Sequence, residues 1–149
     1  ALKAVFLYNF ARFVSWPDTT WAHPNDPFVF GIWGADPLAI ALEESIKEKA
    51  VQGHPLAVRR VSDAADIAGC HLVFVGKADR RTLSLVIETA GRRPILTVGE
   101  SRDFAKQGGI IALILKGSTL GFEIDRPAAA LVGLRISSKL LKLATVAQE

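Results

Sequence analysis

Three histidines, one cysteine and a few pairs of polar side chains are the residues of this 149-residue chain whose types could support chemistry. Each set falls short on spacing. Tetrahedral zinc sites draw on imidazole, thiolate or carboxylate ligands at short helical or hairpin intervals. His23 lies in a loop, His54 before one strand-like run and His71 at the start of another, so no such interval arises. Cys70 and His71 have the types of a nucleophile and a base, but adjacent strand residues point to opposite faces. Cys70 therefore reads as a buried thiol. Asp63 and Asp66 stand three apart and could pair, yet one of them is wanted as a cap for the helical turn that follows Ser62. Ser137-Ser138-Lys139 has the letters of a serine–lysine arrangement, with the serines read as mid-helix, where a serine lets a second helix come close. No GxGxxG or Walker lysine motif follows a strand-like run. Catalytic residues, metal ligands and a cofactor are accordingly not expected.

The elements that would position these residues alternate. An apolar run from Ala1 to Ser15 predicts a helix with Leu2, Phe6, Phe10 and Phe13 on one stripe and Val5, Leu7 and Tyr8 widening it, stopped by Trp16-Pro17. A helix so apolar must be covered on more than one side, which makes Phe6, Phe10 and Phe13 candidates for a dimer contact. Residues 18–27 read as a surface loop carrying Trp21, either folded onto the core or exposed for docking. Strands are predicted at Phe28–Trp33, Leu56–Val61, His71–Val75, Pro94–Val98 and Ile110–Leu115, with Leu120–Ile124 returning through a tight turn. Asp36-Pro37 opens a helix through Lys49, and another helix runs from Asp79 to Thr89. Asp125-Arg126-Pro127 opens a last helix expected to continue through Gly133 to Ala144. It would turn Leu131, Leu134, Ser138, Leu141 and Thr145 to the sheet and Arg135, Lys139 and Lys142 to another face. Strand–helix alternation argues for a single α/β domain over residues 1–149. The expected architecture is a three-layer, doubly wound, mainly parallel sheet of order 2-1-3-4-5 plus an antiparallel edge strand, with helices on both faces.

On such sheets ligands lie beyond the carboxyl ends of the strands. That places the candidate ligand or anion loops at Gly34 and Asp36, at Gly76 and Lys77, and at Gly99, Glu100 and Ser101, the last group preceding a short helix with Arg102 nearby. The glycines have an alternative reading as plain turn residues. Composition narrows the partners. Half the residues are hydrophobic, and 18 Lys and Arg stand against 15 Asp and Glu for a net charge of +3. That excess is too small to mark a nucleic-acid surface. No apolar run reaches the roughly 18 residues of a membrane span. A single cysteine excludes an internal disulfide. A start at Ala1 and the lack of methionine imply that a leading segment was removed.

Several blocks resemble the YfiR-like family: Lys3 to Pro17, Cys70 to Val75, Leu96 to Glu100, Phe104 to Gly109, Phe122 to Ile124 and Gly133 to Ala144. They fall in order along nearly the whole chain. The resemblance implies a periplasmic protein without catalytic activity, dimeric, that restrains an inner-membrane diguanylate cyclase by engaging its periplasmic part and is itself sequestered by an outer-membrane lipoprotein. The family's best-known member carries disulfides, which Cys70 alone cannot form, so redox control is not carried over. The candidate partner surface is Trp21 or the face of Arg135, Lys139 and Lys142, the latter with the alternative of a solvated basic face on a packed helix. The alternative is a periplasmic small-ligand sensor or binding module of an unrelated pathway, which requires a pocket with convergent polar groups at the carboxyl edge of the sheet.

Overall fold

The computed structural model describes residues 2–34, 37–100 and 102–144. Helix α1 (Leu2–Phe13) leads into a two-residue strand β1 (Val14–Ser15). Then come β2 (Phe28–Trp33), α2 (Pro37–Ser45), β3 (Ala50–Val51), β4 (His54–Val61), β5 (Leu72–Val75), α3 (Arg80–Ala90) and β6 (Leu96–Gly99). The chain continues with α4 (Arg102–Lys106), β7 (Ile111–Lys116), β8 (Thr119–Ile124), α5 (Arg126–Leu131), β9 (Arg135–Ile136) and α6 (Ser138–Leu143). The main sheet has the order β3-β4-β2-β5-β6-β7-β8. Strands β4, β2, β5, β6 and β7 are parallel, and β8 closes one edge antiparallel to β7, with Leu113 opposite Phe122. The predicted doubly wound order with its antiparallel edge strand is therefore the one observed.

The alternation of side chains along the strands sorts the core into two halves. Phe28, Phe30 and Ile32 of β2, Leu72 and Phe74 of β5, and Leu96 and Val98 of β6 pack beneath α1 and α2. Val29, Val73 and Val75 face the other way, with Leu83 and Val86 of α3 and with Phe104 of α4. Two glycines make that second half possible. A Cβ on Gly99 would lie 2.3 Å from the Phe104 ring, and one on Gly109 would lie 2.1 Å from it. Phe104 therefore occupies space that only glycines on both sides can leave.

Five local expectations are corrected. The final helix is not continuous. Its first part, α5, ends after Leu131, Gly133 turns the chain with φ +81°, and β9 intervenes before α6. Ser137 is the N-cap of α6 and not a mid-helix residue, its Oγ accepting from Lys139 N at 3.1 Å. Gly133 breaks the helix because its left-handed conformation is one that a side chain disfavours. Leu131 does not face the sheet but is 81 % exposed, whereas Leu134 is buried. In α1 the buried stripe is Ala4, Leu7, Phe10 and Ala11, while Phe6 and Phe13 are half-buried and Leu2 is exposed. Small alanines let α1 lie close to its neighbours, so the inner face runs through Ala4, Leu7, Phe10 and Ala11 and leaves Phe6 and Phe13 at its margins. Finally, α2 stops at Ser45, and residues 50–55 form a small hairpin about Gln52 and Gly53, both at positive φ.

The segment after α1 meets the segment before α6. β1 pairs antiparallel with β9, Val14 opposite Ile136, and Ser137 N donates to Phe13 O at 2.9 Å. Phe10 packs edge-on against Phe122 with ring centroids 5.0 Å apart, so α1 is fastened both to the antiparallel edge of the sheet and to the C-terminal segment.

Candidate functional site

The predicted ligand loops lie where the parallel strands end. Gly34 follows β2 with φ +97° and open space where a side chain would project. Gly76 and Lys77 follow β5, and Gly99 ends β6. Asp36 and Ser101 lie outside the described residues, as does Thr145 of the expected last helix. Gly99 has a packing reason of its own, the Phe104 ring described above. Glu100 carries an ion pair to Lys3 at the head of α1. One of its carboxylate oxygens also lies 3.1 Å from where a Cβ on Gly76 would be, so Gly76 leaves room for that carboxylate. Arg102 is held by Glu123 at 3.1 Å. The anion expected at this turn would thus meet a cation and a carboxylate already paired within the chain.

Beside these loops opens a cleft of about 560 Å³. Its walls are Leu38 and Ala41 of α2, Leu113 and Leu115 of β7, and Leu120 of β8, with Lys3, Lys77 and Glu100 at the rim. Leu2 and Leu115 at its mouth are 55 % and 67 % exposed, and Val5 and Ile40, one turn along α1 and α2, are exposed as well. Sequence reasoning found Lys77 and Glu100 but missed Lys3 and the leucines. The signal for Lys3 was present as a lone cation at the start of an otherwise apolar helix. The leucines became recognisable only once β7 and β8 were known to run past the end of α1.

Trp21 is half-buried at the opposite end of the sheet. Its indole stacks on His54 with centroids 4.0 Å apart and lies 5.1 Å from His71 and 6.3 Å from Phe28. The ring is thus folded down onto the starts of β2 and β4 and the residue before β5. His71 Nδ1 accepts from Val29 N at 2.9 Å, which fixes that nitrogen as unprotonated. Burial first, then the neighbouring His54 and Arg59, push the His71 imidazole down to about 4. Cys70 turns to the other face, against Gly31, and burial pushes its thiol up. The adjacent pair therefore does not form a nucleophile and base. Asp63 caps the turn after β4, accepting from Ala65 N at 3.0 Å. No group of three or more potential metal ligands occurs among the described residues.

Arg135, Lys139 and Lys142 do not share one helical face, because Arg135 lies in β9 while the lysines lie on α6. Phe10 is spent on packing within the chain, and the outward stripe of α1 is Leu2 and Val5.

An α/β domain of this order, with a cleft at its carboxyl edge, is an architecture shared by many proteins of unrelated function. Its particular family is identified by sequence: the chain matches the YfiR/HmsC-like family over residues 1–145 and belongs to it. That family is one of periplasmic, non-catalytic regulators of diguanylate cyclases. Among solved structures, the chain is similar to a conserved domain protein of Vibrio cholerae, with 17 % identity and a TM-score of 0.53 over 80 % of this chain. It is also similar to an ABC domain of Streptococcus pneumoniae in complex with L-Trp, with 12 % identity and a TM-score of 0.55 over 79 % of this chain. In each case it spans 54 % of the solved chain. These likenesses concern the fold. No helix among the described residues is long and apolar enough to cross a membrane.

Proposed function

We infer that this chain restrains an inner-membrane diguanylate cyclase by docking on its periplasmic part. The observation that carries the reading is the group of apolar side chains left in solvent at one end of a domain whose family acts through protein partners. Leu2, Val5, Ile40 and Leu115 are each more than two-fifths exposed, and grouped exposed apolar side chains mark interaction surfaces more often than single ones do. The outward stripe of α1 is also the part of that helix free to meet a second subunit, which supports a two-fold dimer. Sequestration by an outer-membrane lipoprotein would require a surface that competes with the cyclase. Arg135 of β9 and Lys139 and Lys142 of α6 are the cationic side chains of the C-terminal segment that such a surface would use.

The test uses the purified chain and the periplasmic domain of an inner-membrane diguanylate cyclase from the same organism. The double substitution Val5→Glu with Ile40→Glu removes apolar contact at exposed positions. It should leave thermal stability nearly unchanged and weaken binding by about tenfold or more, with a matching rise of cyclic-di-GMP in cells. Binding equal to the parent would refute docking through this end. Loss of binding in Arg135→Glu with Lys139→Glu instead would move the interface to the C-terminal segment.

A further inference from the structure

We propose that the cleft between α1, α2 and the β7–β8 hairpin binds a small aliphatic monoanion, a single carboxylate or similar head on an aliphatic tail. The proposal is separate from the cyclase reading, because it concerns the isolated chain. Position and size come first. The cleft opens beyond the carboxyl ends of β2, β5 and β6, flanking the point where the strand order reverses, which is where sheets of this type hold ligands. Its volume of about 560 Å³ lies inside the range of small-molecule sites.

The lining then selects the chemistry. Its walls are leucine, alanine and proline side chains with Ser118 at the β7–β8 turn, and no aromatic ring among the described residues lines it. A flexible aliphatic body therefore fits better than a flat one that needs a stacking partner. At the rim the charges are unequal. Glu100 and Lys3 satisfy each other, while Lys77 has no ion-pair partner among the described residues. A ligand ammonium would have to displace Lys3 from Glu100, so a zwitterion such as a free amino acid gains little. An anionic head meets Lys77 without disturbing any pair, and its tail then runs over Leu38, Ala41, Leu113 and Leu120. Thus one ammonium and an aliphatic trough specify one negative charge and one apolar chain.

Decanoate and decanol serve as probes, since they share a tail and differ in the head. Titration calorimetry on the intact chain near pH 7 should show one decanoate per chain with a Kd on the order of 0.1 to 1 mM, as a ligand of that size allows. Decanol should bind at least about tenfold more weakly, and Lys77→Glu should weaken decanoate by a similar factor. Lys77 is exposed, so that variant folds as the parent does. Ala41→Phe, which fills the trough, should abolish binding, with circular dichroism checking that it folds. Equal affinity for decanoate and decanol, or decanoate binding that survives both substitutions, would overturn the proposal. So would binding to anionic phospholipid vesicles in place of monomeric decanoate, which would make this end a membrane contact. None of these results bears on cyclase binding, which is measured separately.

Discussion

Acid should loosen the Trp21 end of the molecule, and His71 sets how much. Its imidazole titrates at about 4 in the folded chain, against an ordinary value of 6.5. Between those values the unfolded chain carries the extra proton, so stability rises with pH across this window and is lost as pH falls from 6.5 towards 4. Linkage over that difference corresponds to about 2 kcal/mol lost by pH 5. His71 is only half-buried, so solvent screening reduces the expected loss to about 1 kcal/mol. The physical event is specific. A proton on Nδ1 would oppose the Val29 N–H that now donates to it, beside His54 and Arg59. Urea unfolding at pH 7.5, 6 and 5, followed by tryptophan fluorescence, reads the change as a shift in midpoint at constant slope. Carboxylates also titrate toward the bottom of this range, so the comparison is with His71→Gln, which keeps an acceptor for Val29 but does not titrate. The parent should lose about 1 kcal/mol more than His71→Gln between pH 7.5 and 5. Equal losses in the two proteins would refute the reasoning.

Two further outcomes test the packing. Phe10→Ala should cost about 3 to 5 kcal/mol, because the ring is fully buried against Phe122. Phe13→Ala, at a half-buried position, should cost clearly less in the same denaturation experiment, and equal costs would mean that the faces of α1 are misassigned. Gly109→Ala should destabilise by about 1 to 3 kcal/mol through overpacking on Phe104. Adding Phe104→Leu should recover part of that loss, and independent, additive effects in the double-mutant cycle would contradict the contact.

Much of the fold was legible because its strands are continuous apolar runs separated by helical periods, as Phe28–Trp33 and Leu72–Val75 show. The two-residue strands were not, since Val14–Ser15 and Arg135–Ile136 are too short to show any period and pair only through tertiary structure. The C-terminal break could have been read. Gly133 followed four residues later by Ser137 is a helix stop and then a start, but the apolar spacing from Leu131 to Leu141 suited one helix equally well. The site divided in the same way. Loops at strand ends follow from topology, so Lys77 and Glu100 could be named in advance. The partner that neutralises Glu100 comes from the far end of the chain, and no local pattern encodes such a meeting.

The ribbon between β1 and β9 sets an order of events for a chain made from its N-terminus. The first helix is synthesised early, yet Val14 finds Ile136, and Phe13 O its Ser137 donor, only when the last segment has emerged. Contacts between such distant residues form late and slow folding. Until then, α1 is held by α2 and by Phe122 of β8 but not yet by the C-terminal segment. The clasp that completes the fold therefore cannot close until residues 135–137 are free to reach the end of α1, and the whole chain must be present before its first helix is locked in place.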